Sequence, residues 1–201
     1  MNDSTLKKGI QALQWESYYR KNGTDQRSNH FLAPTGNLDV DFETNLNRLD
    51  ICYGKALDIG AGTGEQAIFL AKKGFDVTAT EVSKMAIENA RKLAAGHNLP
   101  ITFMEDNILA TGLNDQFDLI IDRGCFTILP AVYKEDYLLA IKKLLKVNGW
   151  LFLKADKKKG NDLSIFSDDM EFKVYSLEAS NYASLNNKLI PAVVLVTQKV
   201  G

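Results

Sequence analysis

The stretch most able to do chemistry is Leu57-Asp58-Ile59-Gly60-Ala61-Gly62-Thr63-Gly64. A short apolar run enters three glycines at alternate positions, and a helical pattern follows. Gly60 permits a tight turn, and Gly62 lets the backbone approach a ligand with no side chain in the way. A carboxylate completes the arrangement: Glu81 closes the next apolar run, 17 residues after Gly64. Placed there, it can accept hydrogen bonds from both hydroxyls of a ribose. Charge-assisted bonds of that kind are worth roughly 1.5–3 kcal/mol each. The loop and the acid together point to an adenosine derivative, phosphorylated or not.

Elements of alternating type must hold these residues. Residues 55–59 read as a strand, 64–73 as a helix burying Ala67, Ile68, Leu70 and Ala71, and 75–80 as a second strand. Ser83 is placed to cap a helix to about Ala95, with Ala86, Ile87, Ala90 and Leu93 buried; Gly96 and Pro100 close it. Residues 101–104 form a short strand and 117–122 a stronger one, whose Leu119, Ile120 and Ile121 suit a strand covered on both faces. Residues 133–146 read as a helix, acidic in its first turn (Glu135, Asp136) and basic in its last (Lys142, Lys143, Lys146), which complements its dipole. Asn148-Gly149 then turns the chain into a strand at 150–154.

This order predicts an α/β fold of the doubly wound, Rossmann-like type. Its seven-stranded sheet is mostly parallel, with helices on both faces and right-handed crossovers. The tail breaks the rhythm: 172–177 and 192–199 are expected to close the sheet as an antiparallel hairpin, with Pro191 opening the last strand. The first fifty residues are expected to give one helix, around 6–21, and a polar loop containing Pro34 and Gly36. With 201 residues, 45% of them hydrophobic, the chain suits one domain. Residues 1–50 would be a helical segment on the substrate side, and 51–201 the cofactor-binding core.

Charge narrows the partners. The net charge is −1 and the sequence pI about 6.1, so the basic surplus that grips a phosphate backbone is missing. Nucleic acid is disfavoured, and Lys157, Lys158 and Lys159 read as a solvated turn. Cys52 and Cys125 read as reduced thiols, Cys125 as a small buried residue rather than a nucleophile, since no histidine is near it in sequence. His30 and His97 lack ligand spacing, so no metal is expected. Without a secretory leader or a bilayer-length apolar stretch, the expectation is a cytoplasmic protein, monomeric or weakly dimeric.

Two adenosine carriers fit the loop: a nicotinamide dinucleotide and S-adenosylmethionine. The dinucleotide fingerprint G-x-G-x-x-G would need glycine where Glu65 stands. Asp-Ile-Gly-Ala-Gly-Thr-Gly instead resembles the cofactor loop of the class I S-adenosylmethionine-dependent methyltransferases. The resemblance runs from about residue 55 to 199 and takes in Glu81, Asp106 and the closing hairpin. It implies that Gly60, Ala61 and Gly62 line the methionine part of the cofactor, with Asp58 orienting the loop or the ammonium group. Glu81 would hold the ribose, Val82 would pack on the adenine, and Asp106, Asn107 and Ile108 would border its edge. By residue type alone, Val82 and Ile108 serve equally well as core, and Asp106-Asn107 as a turn.

Asp122-Arg123-Gly124, at the end of the fourth strand, resembles the thiopurine and related small-molecule thiol methyltransferases, as does Trp15-Glu16-Ser17-Tyr18-Tyr19. That branch implies that Trp15 covers the cofactor and Arg123 faces cofactor and acceptor; the wider family resemblance places Asp122 near the sulfonium and its methyl group. Asp122 and Tyr18 or Tyr19 are the candidate bases. The spacing of Trp15 and Tyr19 equally suits an ordinary core-facing stripe. The activity implied is methyl transfer to a small molecule, a thiol or other soft nucleophile. A methyltransferase of RNA or protein, a module that binds the cofactor without chemistry and a nicotinamide-dependent oxidoreductase are the rivals.

Overall fold

The computed structural model describes residues 3–22, 39–157, 162–183 and 189–201. Helices α1 (Asp3–Asn22) and α2 (Val40–Arg48) precede the alternating core: β1 (Lys55–Ile59), α3 (Glu65–Lys72), β2 (Asp76–Glu81), α4 (Lys84–Ala95) and β3 (Ile101–Glu105). Then come β4 (Phe117–Arg123), α5 (Cys125–Ile128), α6 (Lys134–Leu144), β5 (Leu145–Asp156), α7 (Ser164–Ser167), β6 (Phe172–Ala183) and β7 (Leu189–Lys199). The described strands form one sheet in the order β3-β2-β1-β4-β5-β7-β6. β1 to β5 are parallel, and β7 runs antiparallel between β5 and β6. The chain winds outward from β1 to β3, then returns to place β4 on the other side of β1. That reversal opens a crevice at the carboxyl ends of β1 and β4, where doubly wound sheets bind ligands.

Strand alternation splits the core into two layers. Leu57, Ile59, Ile120, Leu151 and Leu153 pack against Phe126, Tyr137 and Ile141 of α5 and α6. On the other face Ala56, Leu119, Ile121 and Phe152 meet α3 and α4, and Phe42 and Leu46 of α2. Burying a large apolar side chain stabilises by roughly 1.5–3 kcal/mol, so both layers fix where the crevice lies.

The expected strands and helices are present, with differences in detail: the short helices α5 and α7 were not expected, and Lys146, expected in the last turn of the 133–146 helix, lies in β5 because α6 ends at Leu144. Helix α2 was not expected: Asp39 caps it by accepting from Asp41 N–H, but its apolar stripe is only Phe42 and Leu46. In α4 the buried positions are Ala86, Ile87, Ala90 and Ala94, while Leu93 is 42% exposed because it falls at the edge of that stripe. The Asn148-Gly149 turn lies inside β5, where Asn148 has φ 66° and the register with β4 shifts. Pro191 is the third residue of β7, opposite Asn181 of β6. β5 pairs with β7 only from Ala192 onward, so the proline needs no donor on that side. No helix among the described residues is long and apolar enough to cross a membrane.

Candidate functional site

The glycine loop turns out of β1 with Gly60 at φ 64° and Gly62 at φ 55°, both left-handed. Both also lack room for a side chain. A Cβ at Gly60 would lie 2.8 Å from Cys125 Cβ, and one at Gly62 would lie 2.9 Å from the Tyr19 hydroxyl. Within the loop, Ala61 N–H donates to Thr80 C=O at 2.9 Å and Gly64 N–H to Ala61 C=O at 2.8 Å. Glu81 ends β2 beside it: Oε2 accepts Gly62 N–H at 3.2 Å, and Oε1 accepts Ser83 N–H at 3.1 Å. Burial raises its pKa against these bonds. Val82 N–H is a third backbone donor to this carboxylate, which leaves about one of its four acceptor positions for a further donor.

Two more carboxylates stand along this edge. Asp58, on β1, is buried, and its Oδ2 has no partner among the described residues. Burial and then the charge of Asp122 push its pKa up to about 8, although it accepts Ala67 N–H. Asp106, just beyond β3, accepts Gly112 N–H at 2.9 Å through Oδ1, while its buried Oδ2 has no described partner. Asn107 caps the short 3₁₀ turn Ile108–Ala110 by accepting Leu109 N–H at 3.0 Å. Ile108 belongs to the α6-side core, and Val82 beside Glu81 is half-buried.

Helix α1 lies across the loop. Its Glu16 accepts Ser83 Oγ–H at 2.7 Å and Met85 N–H at 3.1 Å, at the amino end of α4. These donors hold the Glu16 pKa below the usual carboxylate range. Trp15, Tyr18 and Tyr19 form one aromatic cluster, with Trp15–Tyr18 centroids 5.8 Å apart and Tyr18–Tyr19 5.3 Å. Burial and the nearby Glu81 raise the Tyr19 pKa, which favours its protonated phenol.

The last two residues of β4 point to opposite faces. Asp122, expected as a base near the methyl group, is taken up by the turn into α5. Oδ1 accepts Gly124 N–H at 2.9 Å and Cys125 N–H at 2.7 Å; Oδ2 accepts Phe126 N–H at 2.9 Å and Tyr137 O–H at 2.7 Å. Burial raises its pKa to about 6, with those bonds opposing. Burial also raises the Cys125 thiol well above its ordinary value, which leaves it protonated. Arg123, on the other face, donates from Nε to Asp39 Oδ2 at 2.8 Å.

Asp39, Lys154 and Tyr182 complete this part of the site and were not anticipated. Lys154 is 2% exposed and donates to Asp39 Oδ1 at 2.9 Å, Asp39 Oδ2 at 3.0 Å and Asp41 Oδ2 at 2.6 Å. The Tyr182 ring lies 5.6 Å from the Arg123 guanidinium and 5.2 Å from the Lys154 ammonium, and its hydroxyl donates to Lys154 C=O. One sequence signal was available: a lysine inside the apolar run Trp150-Leu151-Phe152-Leu153-Lys154-Ala155 must have an anionic partner if the strand is central. Lys134 was also missed. Its ammonium lies 3.4 Å above the Phe126 ring and donates to Phe126 C=O, and burial lowers its pKa to about 8.

Residues 56–149 match a family model described as a methyltransferase domain. The release factor glutamine methyltransferase of Flavobacterium psychrophilum is 33% identical over 136 residues, 56% of this chain and 48% of that one. The mitochondrial ubiquinone biosynthesis O-methyltransferase of Schizosaccharomyces pombe is 32% identical over 120 residues, 57% of this chain and 43% of that one. The chain thus spans less than half the length of these curated relatives. Two solved structures cover nearly all of it. One, reported for the conversion of a disulfide bond into a thioacetal group during echinomycin biosynthesis, has a TM-score of 0.78 at 20% identity, covering 94% of this chain and 93% of that one. The other is Burkholderia thailandensis 1,6-didemethyltoxoflavin-N1-methyltransferase with 1,6-didemethyltoxoflavin and S-adenosylhomocysteine bound; its TM-score is 0.75 at 15% identity, over 100% of this chain and 92% of that one.

Proposed function

We propose that this chain, a Rossmann-like methyltransferase fold with a methyltransferase domain at residues 56–149, binds S-adenosylmethionine and transfers its methyl group to a small molecule, with a thiol or other soft nucleophile as acceptor. One observation carries the reading: a row of carboxyl groups with acceptor capacity to spare, Asp58 and Glu81 buried and Asp106 half-buried, follows the carboxyl edge of β1, β2 and β3. Asp58 Oδ2 and Asp106 Oδ2 lack donors, and the cofactor brings an ammonium and an adenine amine. Glu81, between them, keeps about one acceptor position for a ribose hydroxyl beside its three backbone donors.

When bound, S-adenosylmethionine supplies a methyl group already activated on a sulfonium. The chain supplies position and water exclusion. Gly60 and Gly62 clear the way to the backbone, Trp15 and Tyr19 close over it, and Val82 offers an apolar face beside Glu81. The geometry supports a soft, readily ionised acceptor, because the expected bases are engaged or protonated. Asp122 holds four donors, and Tyr19 and Cys125 keep their protons. Lys134 remains a cation below about pH 8 and adds positive field beside Cys125. An acceptor that arrives ionised needs no base. A small acceptor also agrees with the net charge of −1 and with the relatives named for ubiquinone and toxoflavin methylation.

Calorimetric titration with S-adenosylmethionine, S-adenosylhomocysteine and NAD, on the wild type and Glu81→Ala, tests the cofactor. Binding of the first two, lost in the variant, is expected; binding of neither overturns the reading. Thiols and other small acceptors are then screened by the appearance of S-adenosylhomocysteine.

A further inference from the structure

We propose that Asp39 and Lys154 are a positioning pair that holds Arg123 as a carboxylate-binding fork at the mouth of the glycine loop. The inference rests on the proposed function and deepens it. Arg123 of β4 and Lys154 of β5 are register partners, so two cations stand side by side on the face that carries α2 and α3. Asp39 resolves their repulsion. Its Oδ1 accepts Lys154 Nζ and Asp41 N–H, and its Oδ2 accepts Lys154 Nζ and Arg123 Nε. Its own N–H donates to Gln66 Oε1 at 2.7 Å, which ties the cap of α2 to α3. Asp41 accepts both Lys154 and Ser180 Oγ–H. The lysine therefore spends three donors inside the cluster, and Asp39 spends all four acceptor positions.

Arg123 is left in a different condition. It is held by its Nε edge and lies against the Tyr182 ring, while Nη1 and Nη2 have no partner among the described residues. Its side chain is 12% exposed, and its charge pulls the Asp58 carboxyl back down from the value that burial imposes. A planar donor fork fixed on one edge suits a carboxylate bound bidentately. Asp58 supplies the complement from the neighbouring strand: it pairs with Ile121, two residues before Arg123, so Asp58 and Arg123 stand on the same face of the sheet. Donor fork and unpaired acceptor together match an amino-acid group, carboxylate to Arg123 and ammonium to Asp58. The cofactor's methionine end carries such a group, and an acidic acceptor would present the same carboxylate.

Titration calorimetry on the full chain separates these sources. S-adenosylhomocysteine is compared with 5′-methylthioadenosine, which lacks the amino-acid group, and benzoate is titrated onto the S-adenosylhomocysteine complex as a plain carboxylate. Lys154→Met alone leaves Asp39 and Asp41 unbalanced and is expected to be strongly destabilised, so the neutral double variant Asp39→Asn/Lys154→Met carries the test, with Arg123→Met and Lys154→Arg beside it. If the fork takes the cofactor, the double variant and Arg123→Met lose about tenfold or more in affinity for S-adenosylhomocysteine and none for methylthioadenosine, and Lys154→Arg recovers most of the loss. If it takes the acceptor, both nucleosides bind as before and benzoate binding, present in the wild type, disappears. Equal losses for both nucleosides, or no change for any probe, overturn the positioning role. A wild type that binds neither nucleoside overturns the proposed function itself, a result distinct from either.

Discussion

Asp58 shows how one buried side chain sets opposing demands. Burial and Asp122 raise its pKa to about 8, whereas in an unfolded chain an aspartate releases its proton near 3.9. The folded state thus binds that proton more tightly, and the contribution to stability falls as pH rises from about 4 to about 8. Asp58→Asn keeps an acceptor for Ala67 N–H. It is expected to raise the Tm of the unliganded protein at pH 8 and to leave it unchanged near pH 4, as thermal melts will show. Ligand affinity runs the other way, because an ammonium is held by the ionised carboxylate. Calorimetry with S-adenosylhomocysteine should give affinity rising toward about pH 8 in the wild type and a flatter profile in the variant; a flat wild-type profile would remove Asp58 from the ammonium. Asp58, Glu81 and the glycines were legible in the sequence because they lie within or beside one strand–turn–helix unit. The use of Asp122 was not, since its four donors come from the α5 turn and from Tyr137 on α6.

Helices decide how the glycine-loop edge is closed. The Glu16 carboxylate meets the positive end of α4 and replaces water on Ser83 Oγ and Met85 N–H, so it fastens α1 over the glycine loop. Glu16→Gln removes that charge at a cost of about 1 kcal/mol. Hydrogen exchange over Asp3–Asn22 should then speed up while β1 and β4 stay protected; unchanged exchange in α1 would show that the contact does not hold it. On the opposite face, Tyr137→Phe takes a donor from buried Asp122. A lost bond to a charged group costs roughly 1.5–3 kcal/mol, read as a lower denaturation midpoint at unchanged slope. The strands and the long core helices announced themselves through apolar period. Helix α2 did not, because two buried apolar residues in nine leave no stripe to read.

The sheet gathers its charges from distant parts of the chain, and their cost falls on the whole fold. Removing one partner of the Asp39–Lys154–Arg123 cluster strands a buried charge, so Lys154→Met is expected to destabilise by roughly 3–5 kcal/mol. Neutralising the pair together, as Asp39→Asn/Lys154→Met, is expected to restore most of it; denaturant midpoints of the single and double variants make the comparison, and equal losses would show that charge balance is not what the pair provides. By itself the sequence determined the order of strands and helices, the closing hairpin, the glycine loop and Glu81. Each of these is written in residues near one another, through apolar period, helix caps and turns that only glycine enters cheaply. Only the tertiary structure decided the employment of Asp122 and Arg123. Adjacent strand residues point to opposite faces, and their partners arrive from segments as far as 84 positions away, as Asp39 does to Arg123. Burial in a low dielectric then makes those partners obligatory, and no spacing along the chain records the choice.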